Sequence, residues 1–202
     1  TLSKQLRYGL KYMALVTIEQ DKFERVIKFG FAKKPGDVID KYLIFELMGK
    51  HSNIFYLDNN QKIIAVGKQI NSNQSSFRIV STGSIYSEPP KNLKKEPCLN
   101  ETFESWKESI SSFPESLGCC LINNYQGVSP ILIKQLETFS NLSYLDIMNK
   151  NIDLISKSNL KKIYKSWTIW IERFNNNNFY FTIFDNFFYS VWFLKNEINN
   201  IN

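Results

Sequence analysis

Few residues of this chain are of a type that does covalent chemistry. One histidine, His51, and three cysteines, Cys98 and the adjacent Cys119 and Cys120, are its whole supply of imidazole and thiol. A nucleophilic triad or a Cys–His pair needs a base that a third group orients. A lone histidine after Lys50, at a strand-to-turn junction, assembles no such set. No Cys-x-x-Cys occurs, so the ligand spacing of a zinc site is missing. There is also no glycine-rich phosphate loop and no carboxylate pair spaced for acid–base work. Cys119 and Cys120 fall in an apolar helical stretch and read as packing residues. The expectation is a protein that is not an enzyme and takes no metal or cofactor. Three thiols without a disulfide framework point to a reducing, cytoplasmic compartment.

Two other constellations suit binding. Glu24-Arg25 sits in a tight turn between two apolar runs. An arginine there can fork onto phosphate or guanine while the neighbouring carboxylate orients it or accepts from a base amine; an ordinary surface ion pair is the plain alternative. In Tyr125-Gln126-Gly127-Val128-Ser129-Pro130, Gly127 can take a positive φ, Ser129 can cap and Pro130 suits a first helical turn. With apolar helical runs on either side, this reads as a helix-hairpin-helix. The amides of Gly127, Val128 and Ser129 would then face a backbone phosphate. An αα-hairpin with no ligand has the same pattern.

The elements that must hold these residues follow from periodicity. Residues 1–13 read as the end of a helix that starts without a cap, which implies a chain beginning inside a longer protein. From Ala14 to Ser81 the pattern is of short β-type runs: Ala14–Gln20, Arg25–Ala32, Lys41–Met48, Asn53–Leu57, Lys62–Val66 and Phe77–Ser81. Turn signals separate them and no helix-length segment intervenes, which predicts an antiparallel meander. Gly83, Pro89, Pro90 and Pro97 break the pattern. Helical stripes follow at Phe103, Trp106 and Ile110, at Leu132, Gln135, Leu136 and Phe139, and from Leu160 to Phe174 behind a Ser158 cap. Phe179–Phe184 and Phe187–Leu194 read as a hairpin around Asp185-Asn186. The predicted class is α+β: an antiparallel β-rich module (1–95), a helical hairpin module (96–175) and a C-terminal β-hairpin (176–202). No apolar run approaches the ~20 residues of a membrane span.

The net charge of +6 is unevenly spread. Residues 1–95 hold sixteen Lys and Arg against eight Asp and Glu, whereas the rest of the chain is slightly acidic. The positive field therefore belongs to the β-rich part, as a polyanion ligand would require. Lys33, Lys34 and Lys50 are the expected members of one such patch.

Longer strings now carry weight. Leu6-Arg7-Tyr8-Gly9-Leu10, Ile18-Glu19-Gln20, Glu24-Arg25-Val26-Ile27 and Phe45-Glu46-Leu47-Met48-Gly49-Lys50-His51-Ser52-Asn53-Ile54 resemble the NFACT family. The spacing continues to Arg78, Gly83, Tyr86, Pro89 and Pro90. Bacterial members are also known as fibronectin-binding protein A-like. The resemblance implies a ribosome quality-control factor that binds the large subunit through its rRNA, together with the peptidyl-tRNA of a stalled chain. It implies recruitment of a charged tRNA, so that the stalled chain gains a C-terminal tail. The family's Asp-Arg dipeptide aligns with Glu24-Arg25, and Lys50 stands where many members have arginine. Implied RNA contacts are Glu24, Arg25, Arg7, Lys50, Asn53 and Arg78, with no membrane partner and no small-molecule substrate. The competing readings are a fibronectin-binding surface adhesin and a glycosylase-type enzyme that processes bases.

Overall fold

The computed structural model describes residues 1–71, 73, 78–111, 114–184 and 188–198. The chain forms two compact units, residues 1–92 and 93–202, and mixes a five-stranded antiparallel sheet with helices, as the α+β reading expects.

In the first unit a short helix, α1 (Leu2–Gly9), precedes five strands: β1 (Ala14–Gln20), β2 (Val26–Ala32), β3 (Lys41–Glu46), β4 (Asn53–Asp58) and β5 (Ile63–Val66). Each strand pairs antiparallel with the next, in the order β1-β2-β3-β4-β5. Three of the turns show why the meander forms. Glu24 N–H donates to Asp21 C=O at 2.8 Å, Asp37 N–H to Lys34 C=O at 3.1 Å, and the Asp58 carboxylate accepts from the amides of Asn60 and Lys62 at 2.9 Å each. Such Asx bonding is what makes Asp a turn residue. Pairing of Val26 with Glu46, and of Glu46 with Asn53, puts the β1–β2 and β3–β4 turns at one end of the sheet. The β2–β3 turn lies at the other end.

Ile44, Phe55 and Leu57 share one sheet face through their cross-strand pairs, since neighbours opposite each other point the same way. They pack with Val26, Ile63, Val80 and Tyr86 as the unit's core. The expected sixth strand, Phe77–Ser81, does not appear. Val80 makes one isolated bridge with Ile70, and Phe77 lies outside the described residues. Val80 and Tyr86 bring their side chains into the core, and isolated backbone bonds to Ile70, Ile63 and Gln61 hold this stretch in place of a continuous ladder.

The second unit packs α2 (Phe103–Ser111), α3 (Leu117–Asn124), α4 (Pro130–Phe139) and α5 (Lys157–Asn175), then a two-stranded ribbon, β6 (Thr182–Ile183) and β7 (Tyr189–Ser190). The predicted stripes are its core: Trp106 and Ile110, Leu132, Leu136 and Phe139, and Leu160, Ile163, Trp167, Trp170 and Ile171 are all buried. The α5 cap is Ser156, whose hydroxyl accepts from Asn159 N–H, and not the predicted Ser158. The ribbon is far shorter than the run pattern suggested, and residues 185–187 lie outside the described set. Ser190, Trp192 and Phe193 share this core. Trp192 Nε1 donates to Gln135 Oε1 at 2.8 Å, and Gln135 Nε2 donates to Tyr189 C=O at 2.9 Å. That contact explains a glutamine on an apolar stripe, because a buried amide needs both of its bonding sides filled. Cys120 is buried, and desolvation raises its thiol pKa; its neighbour Cys119 turns outward and is exposed. Among the described residues, no helix is long and apolar enough to cross a membrane.

Candidate nucleic-acid interface

The Glu24-Arg25 turn is built from main-chain tethers on both sides. Glu24 N–H closes the turn onto Asp21, and the Gln20 side-chain amide donates to Glu24 C=O at 2.7 Å. Leu47 N–H donates to Arg25 C=O at 2.8 Å, tying the turn to the β3–β4 connection beside it. With its backbone so held, Arg25 is exposed, and no carboxylate among the described residues pairs with its guanidinium. Glu24 is half-buried.

Glu24 faces a cleft of about 290 Å³. Its charged lining is four carboxylates, Glu19, Asp21, Glu24 and Glu88, and two ammonium groups, Lys28 and Lys91. Lys28 bonds Glu88 at 2.5 Å and thereby holds that carboxyl below its usual pKa range. An excess of carboxylates repels phosphate, so a phosphate approaching Arg25 must do so from outside the cleft. The carboxylates suit the amino groups of bases. Nothing local in the sequence marked this cleft, because Lys28 and Glu88 are sixty residues apart.

The other expected contacts divide. Lys50 and Arg7 are exposed. Lys50 lies on the Gly49–His51 turn, at the same end of the sheet as Arg25. Lys33 and Lys34 are exposed on the β2–β3 turn at the opposite end, so the expected three-lysine patch does not form on one surface. Asn53 is buried, and its side chain is consumed internally. Its Oδ1 accepts from the amides of Ile54 and Lys68, at 3.0 and 2.9 Å, and its Nδ2 donates to Lys68 C=O at 2.8 Å. Arg78 is also in the interior, 2.7 Å from the Glu46 carboxylate and over the rings of Phe55 and Tyr86. The same carboxylate accepts from Tyr86 Oη at 2.9 Å, and burial together with Glu46 raises the tyrosine's pKa. Geometry therefore moves Asn53 and Arg78 from RNA contact to fold support. Their side chains have bonding partners that a ligand would have to displace.

In the second unit α3 and α4 form the expected hairpin. Gly127 takes φ +71°, Ser129 Oγ accepts from Leu132 N–H at 3.2 Å, and Pro130 opens α4. The amides of Val128 and Ser129 donate to no acceptor among the described residues. Ser129 reaches the surface, whereas Val128 is buried. A clamp that the sequence did not reveal holds the turn. Gln126 N–H donates to Lys95 C=O, Lys95 N–H donates to Asn124 C=O, and Tyr125 Oη donates to both oxygens of buried Glu101, which Lys95 also pairs.

The model of the family described as NFACT N-terminal and middle domains matches residues 1–201. The Rqc2 homolog RqcH of Streptococcus suis is 37% identical over 100 residues, covering 48% of this chain and 18% of that protein. The Rqc2 homolog RqcH of Streptococcus pneumoniae is 30% identical over 148 residues, 67% of this chain and 26% of that one. The matched stretches thus span only 18% and 26% of the length of these relatives. Among solved structures, the N-terminal part of the fibronectin/fibrinogen-binding protein from Streptococcus suis superposes with a TM-score of 0.59 at 25% identity. That match covers 95% of this chain and 63% of that one.

Proposed function

The chain belongs to the NFACT family, and from that premise we propose that it is a non-catalytic RNA-binding part of a ribosome quality-control factor. Its partners in this reading are the large ribosomal subunit, the peptidyl-tRNA of a stalled chain and an incoming tRNA, in the cytoplasm, with tailing of the stalled chain as the outcome. The single observation that supports it is Arg25: an exposed arginine that no carboxylate among the described residues pairs, on a turn whose backbone is tethered on both sides. A free arginine on a rigid turn meets a phosphate or a base edge without first breaking an internal bond. Glu24 beside it, in the lining of the acidic cleft, accepts from a base amine in the same encounter. The Val128–Ser129 amides offer a separate phosphate contact in the second unit.

The name of the solved Streptococcus suis relative favours a second reading, adhesion to fibronectin or fibrinogen. Salt separates the two. RNA affinity falls steeply with ionic strength as counterions return to the phosphates, while adhesion to a protein surface does not require that slope.

The experiment is Arg25→Ala in the full-length protein. Folding should be nearly unaffected, because exposed side chains of this kind contribute only ~0–1 kcal/mol. Recruitment of tRNA should fall while association with the large subunit persists. Normal tRNA recruitment by a folded Arg25→Ala protein defeats the assignment of this site.

A further inference from the structure

We propose that α1 and the turn behind it form a second RNA-binding surface, where Tyr8 and Tyr12 stack on unpaired bases and Lys4, Arg7 and Lys11 hold the adjoining phosphates. This rests on the RNA-binding reading above and adds to it a site and a ligand class, a single-stranded segment.

The first eighteen residues contain Lys4, Arg7 and Lys11 and no Asp or Glu. All three cations are exposed, and among the described residues none is paired with a carboxylate. Interleaved with them, Tyr8 is 73% and Tyr12 86% exposed. Those tyrosines are not core residues that happen to show an edge. Leu2, Leu6, Gly9 and Leu10 supply the half-buried side of this segment. Gly9 is pressed so closely on buried Tyr56 that a Cβ there would come within 2.1 Å of the Tyr56 hydroxyl. The close approach fixes which side of α1 meets the sheet and leaves Tyr8 on the other.

Tyr12 carries a second sign. Its φ is +64°, a left-handed conformation that is uncommon for a bulky side chain. No burial accounts for it, since the ring projects into solvent with Lys11 Nζ 4.7 Å from its centroid. Two exposed tyrosine rings, one with Lys11 over one of its faces, stand among cations that no carboxylate among the described residues pairs, and they complement a polyanion that has π-faces of its own to offer. Single-stranded RNA is such a ligand, whereas a duplex hides its base faces within the stack. The charge decides the choice of partner: an apolar protein surface gains nothing from three uncompensated cations.

The test uses the full chain with a labelled single-stranded RNA of about twelve nucleotides and a duplex of equal length. Tyr8→Ser/Tyr12→Ser should weaken single-strand binding about tenfold or more and leave duplex binding within about twofold. Lys4→Gln/Arg7→Gln/Lys11→Gln should weaken both and reduce the slope of log affinity against log salt by about 2 for the single strand. All five positions are exposed, and an unchanged melting curve shows that the variants fold. The proposal is overturned if the tyrosine variant binds single strands normally or loses both ligands equally. It is also overturned if the wild-type chain is a dimer that this variant dissociates, or if the variant loses anionic vesicles rather than RNA. Should wild-type protein bind no RNA at all, the broader reading falls too; should Arg25→Ala impair tRNA recruitment while the tyrosine variant is normal, only this surface falls.

Discussion

Replacing Arg78 by Met should destabilise the first unit far more than removing Arg25, although both are arginines in the same basic half of the chain. The Arg78 side chain is 13% exposed and lies 2.7 Å from a Glu46 carboxylate that is 4% exposed. Without the guanidinium, that carboxylate stays in the interior with the Tyr86 hydroxyl, at 2.9 Å, as its remaining partner among the described residues. Breaking one side of a buried pair costs about 3–5 kcal/mol, against a typical domain stability of ~5–15 kcal/mol. The same geometry bounds the rescue. Arg78→Met/Glu46→Leu removes both charges but leaves the Tyr86 hydroxyl without an acceptor, so a deficit of ~1–3 kcal/mol should remain. Adding Tyr86→Phe should then bring the protein closer to wild type. The units can be read separately in a urea titration of the full chain, because Trp106, Trp167, Trp170 and Trp192 all lie in the second unit. Amide exchange along β3 and β4 reports the first, and a single two-state fit to both is not appropriate. Arg78→Met should shift the exchange-detected transition and leave the tryptophan transition in place. A loss below about 1 kcal/mol, or a double variant no more stable than the single, would refute the reasoning.

Asn53→Ala should cost about 1–3 kcal/mol for each amide it leaves unpaired, seen first as faster exchange at Ile54 and Lys68. In the second unit, hydrogen bonds from Arg173 hold the Glu197 carboxyl below the usual carboxylate range. Its stabilising contribution is therefore complete above the ordinary glutamate value of about 4.3 and lost as pH falls through the lowered one; acid titration of tryptophan fluorescence should show this, and Arg173→Gln should remove it.

The strands and helices were legible because each carries its own local period and its own turn chemistry. Asp58-Asn59-Asn60 and Asp21-Lys22 end strands wherever they are placed, and the Trp167-Trp170-Ile171 stripe has to be covered by something. What was not legible is long-range. Glu46 and Arg78 are thirty-two positions apart and Asn53 reaches Lys68 across a connection, so nothing nearby in the chain says that these polar groups are satisfied indoors. Read as surface residues they look like ligand contacts; read in the fold they are structural. Ser158 failed as the α5 cap for a smaller reason. Two serines, Ser156 and Ser158, both stand within reach of the helix start, and only the backbone decides which amide each can meet. Arg25 was legible from its turn, although its lack of a carboxylate partner among the described residues was not.

The four arginines sort by what each already holds. Arg78 is committed to Glu46 and Arg173 to Glu197, while Arg7 and Arg25 have no carboxylate partner among the described residues and stand exposed. The committed and the free are linked in the first unit. Glu46 pairs across the sheet with Val26, the residue after Arg25, and the next residue, Leu47, donates its amide to the Arg25 carbonyl. The buried Glu46–Arg78–Tyr86 lock therefore anchors the strand end from which the Arg25 turn hangs. Asn53, opposite Glu46 on β4, ties the same end to Lys68. The long string from Glu46 to Asn53 is thus best understood as the scaffold of the site. Its two interior positions, Glu46 and Asn53, fix a turn whose guanidinium has no carboxylate partner among the described residues, and in the proposed reading holding the backbone in advance removes an ordering cost that binding would otherwise carry. Loosening the lock with Arg78→Met should for that reason weaken tRNA recruitment even at temperatures where the first unit stays folded, and restoring the pocket with the triple variant should restore both together.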